Sequence, residues 1–432
     1  MQERIVITGC GVVSALGVGW KAQAEALRAG RSGVAPVRYL ETALRDLPVG
    51  EVPLSNAQLE ALTGAPAGWP RTSLLALAAL QEALNQAHLP STTEGDTLPG
   101  AFARTGSRSD AEGRVSPEGR LCAEAFARTG SRSDAEGRAL PSGVALVSGT
   151  TVGGMDLTEK TFPRYSPWHG CGASTDLPAA FLGVFDWATT LSTACSSAAN
   201  AFIFAANLLR SGQYSCVVAG GSESLSDYHL NGFNSLMILD REPCRPFDAT
   251  RAGLNLGEGA AYLVLETESA ARARGARILA VLSGWGNACD AFHQTASSEN
   301  GEGAYLAMNQ ALTRAGLAPE AIGYVNAHGT GTPNNDASES AALRRVFGEA
   351  LPPVSSTKPF TGHTTSASGS IEAAFCLLAL QEGFLPPQLH YHTPDPACIV
   401  PCQGAEGVAL RHILCNAFGF GGNDSSLLFS AL

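Results

Sequence analysis

Residues 191–221 read LSTACSSAANAFIFAANLLRSGQYSCVVAGG, and this stretch decides the fold. Its middle, Ala198 to Leu209, is apolar and Ala-rich over a helical length. Its end, CVVAGG at 216–221, is a short β-branched run closed by glycines, the pattern of a buried strand. GVALVSG at 143–149 repeats that pattern upstream. Strands alternating with helices specify an α/β fold with covered sheets. Working outward, RIVITGCGVVSAL at 4–16 reads as a strand and a Gly/Ser turn, and residues 71–89 read as a helix. Toward the C-terminus the pattern returns. Arg277 to Gly284 reads as a strand, Gly303 to Ala315 as a helix and Ile322 to Asn326 as a strand. Ile371 to Glu382 reads as a helix and Ser426 to Ser430 as a last strand. The chain therefore divides into two similar α/β halves, 1–270 and 271–432.

The chain has 432 residues, 45% hydrophobic and 16% charged, which gives a globular core and excludes global disorder. A formal charge of −11 disfavours nucleic acid or an anionic membrane as partner. No apolar stretch reaches the length of a membrane span. MQERIVITG lacks a secretory apolar region, so the expected location is the cytoplasm. Eleven scattered cysteines argue for reduced thiols. One segment stands apart: AFARTGSRSDAEGR occurs at 101–114 and again at 125–138. Residues 101–138 hold seven Arg and six acidic residues with little to bury, and read as a disordered surface insertion.

Four stretches carry chemistry. Cys195 precedes a helix of small residues, and a helix N-terminus favours thiolate. His328 opens the polar loop NAHGTGTPNND at 326–336, just beyond a strand end, where function gathers in α/β folds. Lys358 and His363 flank a turn in STKPFTGHTTSASG at 356–369. NAFGFGGNDSS at 416–426 places Phe418 and Phe420 among small residues, as a loop whose backbone must approach something. One Cys, two His and a Lys in Gly-rich loops suggest acyl-thioester chemistry. A thiolate takes the acyl group, imidazoles steady a developing enolate, and backbone N–H groups hold the oxyanion.

TACSS, NAHGTGT, KxxxGH and FGFGG, in this order, resemble the β-ketoacyl-acyl carrier protein synthases of the thiolase-like condensing-enzyme superfamily. ITGCGVVSALG at 7–17, GTTVGG at 149–154, RPFDATRAGLNLGEGAAYLVLE at 245–266 and PDPAC at 394–398 are similar to the family as well. The resemblance implies a five-layer αβαβα body of two related halves, normally dimeric. The N-terminal half then carries the nucleophilic Cys and the C-terminal half the His/His/Lys loops. It implies that Cys195 is acylated, and that His328 and His363 drive decarboxylation of a malonyl thioester. Lys358 then organises the site, and Glu339 matches the acidic residue usually found near that lysine. Thr330 and Thr332 match threonines that hold the phosphopantetheine arm. Phe420 matches the gating phenylalanine, whose N–H and that of Cys195 form the oxyanion hole; Phe418 joins it in the substrate pocket. The implied activity is 3-oxoacyl-[acyl carrier protein] synthase, with acyl carrier protein as partner and no metal or organic cofactor.

Two departures stand out. The usual GHxxGAAG appears as GHTTSASG, with Ser366 and Ser368, and the usual GFGGTN as GFGGND, with Asn423 and Asp424. The combination resembles ketosynthases of aryl-polyene or flexirubin-type pigment pathways. Two rivals remain. A non-catalytic chain-length-factor subunit shares the fold but typically lacks the Cys, and a thiolase uses a different Cys/His/Cys set. The dimer is therefore expected to be a homodimer, or a heterodimer with a related subunit. His390, His392, Cys398 and Cys402 are too loosely spaced, and too interrupted by prolines, for a zinc ribbon. Arg241, Arg245 and Arg251 are candidates for docking an acidic carrier protein, or for pairing inside the fold.

Overall fold

Ten strands, five from each half, run through a single eleven-stranded sheet in the computed structural model. The structure describes residues 3–89 and 143–432, with the backbone of 132–133 and 139–140. The duplicated segment at 101–138 otherwise lies outside the described residues. The first half supplies β1 (Ile5–Ser14), β2 (Val144–Gly149), β3 (Phe185–Leu191), β4 (Cys216–Glu223) and β5 (Gly259–Thr267). The second supplies β6 (Ala280–Cys289), β7 (Tyr324–Asn326), β8 (Val354–Ser355), β9 (His412–Gly419) and β10 (Asn423–Ser430). Their order is β8-β7-β9-β10-β6-β1-β5-β4-β2-β3, and a short strand, Gly17–Val18, pairs with β1.

Outward from the centre, each half therefore runs through its first, fifth, fourth, second and third strands. The pair directions repeat too. β1–β5 and β5–β4 are antiparallel, and β4–β2 and β2–β3 parallel. β6–β10 and β10–β9 are antiparallel, and β9–β7 and β7–β8 parallel. β1 and β6 join the halves, antiparallel.

Alternation along the strands sorts side chains into separate cores. On β5, Ala261, Leu263 and Leu265 enter the central core, while Ala260, Tyr262 and Val264 face an outer one. The central core lies between the two halves and holds the helices α2 (Ser197–Arg210) and α6 (Ser368–Glu382). α1 (Arg71–Gln86) covers the outer face of the first half, and α4 (Glu302–Ala315) with α5 (Pro333–Phe347) covers that of the second. Helix, the strands of one half, the central helices, the strands of the other half and helix make five layers. α6 is buried from Ser368 to Ala379, and it is apolar nearly all round, as a helix between two sheets must be. Each of its large side chains, such as Phe375 and Leu377, contributes roughly 1.5–3 kcal/mol by leaving water.

Close packing of the outer helices depends on one glycine pattern used twice. A Cβ on Gly11 of β1 would lie 2.0 Å from the carbonyl oxygen of Ala79 in α1. One on Gly286 of β6 would lie 2.0 Å from that of Ala307 in α4.

Candidate active site

Cys195 sits at the elbow between β3 and α2, and only 4% of its surface is exposed. Ala194 before it adopts φ of +54°, a left-handed turn that a small side chain tolerates at a cost of ~1–3 kcal/mol. Ser197 wires the turn, accepting from the Thr193 N–H at 2.9 Å and donating to the Ala194 carbonyl at 2.6 Å. The loop between β9 and β10 folds over this elbow. It carries Phe420, whose backbone N–H favours the ionised form of the Cys195 sulfur.

The second half brings in the remaining groups. His363 Nε2 is 3.1 Å from Cys195 Sγ. The backbone of His363 is pinned on both sides, its N–H to Asn255 and its carbonyl to Gly257. On the far face of its ring, Nδ1 accepts from the Thr365 N–H at 3.3 Å and meets Ser368 Oγ at 2.9 Å. An accepting Nδ1 leaves the ring proton on Nε2, facing the sulfur. His328 lies against His363 edge to face, with ring centroids 5.3 Å apart. Its Nδ1 is 3.2 Å from Lys358 Nζ. An ammonium only donates, so His328 also carries its proton on Nε2. Lys358 is 1% exposed and donates to Glu372 Oε1 at 2.5 Å.

Burial pushes both imidazoles well below the ordinary histidine range, and the Lys358 charge adds to this, so both are neutral at pH 7. Burial pushes the Cys195 thiol up to about 11, against the pull of Lys358 and the Phe420 N–H. The expected thiolate-favouring helix terminus is therefore outweighed by desolvation in the resting protein. Burial likewise raises Glu372 to about 7, with Lys358 opposing. Glu372 Oε2 and Asn326 Oδ1 are buried without a hydrogen-bond partner.

Glu339, expected near the lysine as structural support of the site, and the carboxylate that pairs with the lysine are two different residues. Glu339 accepts from the His328 N–H at 2.9 Å, the Gly329 N–H at 2.8 Å and Asn416 Nδ2 at 3.1 Å. It holds the backbone of the histidine loop, and Glu372 on α6 is the carboxylate that pairs with Lys358. Other residues that sequence reasoning missed gather round the site. Glu223 accepts from the N–H groups of Thr151 and Val152 and, at 2.6 Å, from Ser366. His229 on α3 (Asp227–Ser235) is buried, and burial lowers it below the ordinary histidine range. Only the unusual serines of GHTTSASG flagged any of these.

A cavity of about 320 Å³ leads to Cys195. Its walls include His328, His363, Thr330, Thr332, Phe418 and Phe420. This is the size of a small-molecule site. Thr330 and Thr332 join hydroxyls at 2.8 Å, Phe418 tilts on His328 at 5.6 Å, and Phe420 stacks on Phe233 at 5.9 Å. Every candidate residue except Glu339 thus borders either the cavity or the Lys358 pair. Among the described residues no three or more His, Cys, Asp or Glu are grouped to hold a metal ion. Of the loosely spaced set, His390 Nδ1 donates instead to the Cys244 carbonyl at 3.1 Å. No helix among the described residues is long and apolar enough to cross a membrane.

Residues 119–271 match the family model for the beta-ketoacyl synthase N-terminal domain, and residues 279–392 that for its C-terminal domain. A 3-oxoacyl-[acyl-carrier-protein] synthase 2 of Vibrio cholerae is 36% identical over 67% of this chain and 76% of its own. Nodulation protein E of Rhizobium meliloti is 33% identical over 99% of both chains. Among solved structures, the ishigamide ketosynthase/chain length factor matches with a TM-score of 0.82 and 29% identity, over 100% of both chains. A ketosynthase in complex with its chain length factor from Xenorhabdus doucetiae matches with a TM-score of 0.76 and 29% identity. That match covers 100% of this chain and 98% of the other.

Proposed function

This chain belongs to the beta-ketoacyl synthase family, and from that premise we propose how its own residues divide the reaction. It is a 3-oxoacyl-[acyl carrier protein] synthase, an acyltransferase that condenses a malonyl unit with an enzyme-held acyl group. In our reading an acyl thioester enters on the pantetheine arm of acyl carrier protein, along Thr330 and Thr332. The Cys195 sulfur attacks its carbonyl carbon, and the thiol proton passes to the pantetheine sulfur, which departs as a thiol. Malonyl carrier protein follows. Its carboxyl C–C bond breaks, carbon dioxide leaves, and the electron pair is held as an enolate by the Nε2–H donors of His328 and His363. The enolate carbon then attacks the acyl-enzyme. Its oxyanion is held by the N–H groups of Phe420 and Cys195, the C–S bond breaks, and the freed sulfur takes up a proton from solvent to return to the thiol. The substrates arrive on their own arm, so the scheme needs no resident metal or cofactor.

One observation carries this reading: the Cys195 sulfur lies 3.1 Å from His363, with His328, Lys358 and Glu372 joined behind. The same set argues against a non-catalytic chain-length-factor role, for which the sulfur and its partners would be superfluous. We take the chain to pair with a second copy or a related subunit through β3. This strand is the sheet edge, half-exposed throughout, with Trp187 and the exposed Phe204 side by side at 6.2 Å. An open edge of this kind invites pairing. Ser366, Ser368, Asn423 and Asp424 keep the aryl-polyene type of pathway as our preferred source of substrate.

Of the candidate docking arginines, two are structural. Arg245 binds Asp240 at 2.8 Å and Arg251 binds Asp395 at 2.5 Å. Arg241 is exposed and pairs with Asp46. The test of the reading is peptide mass spectrometry after incubation with acyl carrier protein. An acyl adduct on the Cys195 peptide is expected, and an adduct confined to another cysteine overturns it.

A further inference from the structure

The residues that depart from the usual GFGGTN pattern build a polar hub behind the nucleophile. Asn423 is the first residue of β10, directly after the loop that carries Phe420. Three donors converge on its Oδ1: Ser196 Oγ at 2.8 Å, Asn200 Nδ2 at 2.7 Å and Asn287 Nδ2 at 2.9 Å. Ser196 follows Cys195 directly, and Asn200 lies one helical turn further along α2. Asn287 comes from β6, in the other half. The hub closes on itself, with Asn287 Nδ2 also 3.1 Å from Asn200 Oδ1 and 2.9 Å from Ser425 Oγ. It also reaches the start of the elbow, since Asn200 Nδ2 donates to Thr193 Oγ1 at 2.9 Å and the single Ser196 hydroxyl proton is shared between Asn423 Oδ1 and the Thr193 carbonyl, each 2.8 Å away.

The loop has few other fixings. The Gly421 N–H donates to the Gln294 carbonyl at 2.8 Å, the Gly422 carbonyl accepts from Asp290 at 2.8 Å, and the Gly422 N–H closes a turn on Gly419. These hold its outer side. On the side facing the sulfur, Gly419 packs so tightly on the elbow that a Cβ there would lie 2.8 Å from the Thr193 carbonyl oxygen. A planar amide carbonyl reaches all three donors. A threonine is a branched, shorter side chain with one hydroxyl, and cannot span the same set.

We propose that Asn423 is a positioning residue for the acyl-loading step: it fixes the Phe420 loop to the Cys195 elbow, so that the Phe420 N–H stays aimed at the sulfur. This rests on the reaction assigned above. Without the hub the loop keeps its outer fixings and can drift from the sulfur, which loses one of the two influences that oppose its burial.

The test uses the full-length protein with Asn423→Ala and Asn423→Thr. Iodoacetamide labelling of the Cys195 peptide is followed against pH by mass spectrometry, beside acyl loading from acyl carrier protein and thermal stability. Asn423→Ala is expected to move labelling to higher pH and to slow loading by ~10–100-fold at unchanged KM, the scale of a weakened oxyanion donor. Asn423→Thr is expected to fall between Ala and the wild type. It also stands in should Ala fail to fold. A labelling profile that stays in place, or a loss of loading that tracks thermal stability across the variants, overturns the proposal. A wild-type protein that takes no acyl group on Cys195 refutes instead the reaction it rests on.

Discussion

Glu223 in the first half and Glu339 in the second do one job for two different loops. Each is a buried carboxylate that accepts two successive backbone N–H groups just after the second strand of its half. For Glu223 these are Thr151 and Val152; for Glu339 they are His328 and Gly329. The third strand of each half also ends in a turn that leads to a central helix. In the first half that turn carries Cys195; in the second it carries Lys358 and His363. The scaffold is thus repeated and the chemistry divided. One half holds the sulfur. The other holds both imidazoles and the cation, and among the described residues it hydrogen-bonds the sulfur through His363 Nε2.

That division can be broken at several points. The largest effect falls on the sulfur itself: Cys195→Ala should end condensation, because no other described group is placed to take the acyl chain. Carrier-dependent product formation by this variant at more than a trace would dissolve the comparison.

The next effect concerns the charge pair of the second half. Glu372→Gln leaves Lys358 buried without its counter-charge, which typically costs ~3–5 kcal/mol. The variant should melt well below the wild type at pH 8, where the Glu372 carboxyl, raised to about 7, is ionised and pairs with Lys358. The pH dependence sharpens this. Burial raises Glu372 from the ordinary 4.5 to about 7. A carboxyl raised on folding binds more protons in the folded state. Its contribution to stability is then fully present below the ordinary value and is lost as pH rises toward about 7. Thermal melts from pH 4.5 to 8 should show that decline in the wild type and not in Glu372→Gln, and parallel curves would remove Glu372 from the account.

The smallest effect is at Ser368. Its hydroxyl adds to the Thr365 N–H on His363 Nδ1, so Ser368→Ala removes one of two contacts. The loss of one hydrogen bond predicts a twofold to tenfold fall, about 0.5–1.5 kcal/mol, in condensation rate. A larger fall would mean that the serine, not the backbone, sets the ring.

Much of this was legible before any coordinates. β-branched runs ending in glycine marked β2 and β4, and Cys195, His328, Lys358 and His363 stood out by their turns and by family resemblance. Other elements resisted for physical reasons. β3 reads FDWATTL, with Asp and Thr among apolar residues, because an edge strand has no face that must be wholly apolar. β7 and β8 are three and two residues long, too short for a period to show. Glu372 was invisible because α6 is buried on every side, so no stripe on it marks which residue faces Lys358. Glu339, beside the His328 loop in sequence, was legible as support of the site, and it holds that loop's backbone. The serines of GHTTSASG were noticed, but only the fold shows Ser366 on Glu223 and Ser368 on His363.

The central claim is that the acyl group is held by the sulfur half and that negative charge from decarboxylation is handled by the imidazoles of the other. His328→Ala tests it most directly, with two rates measured on one preparation: acyl transfer to Cys195, and release of labelled carbon dioxide from malonyl carrier protein. The account predicts that carbon dioxide release falls by ~10²–10³-fold, the scale for losing one donor to a developing oxyanion, while acyl transfer stays within a fewfold of wild type. Equal losses in both rates, or carbon dioxide release that does not change, would contradict it.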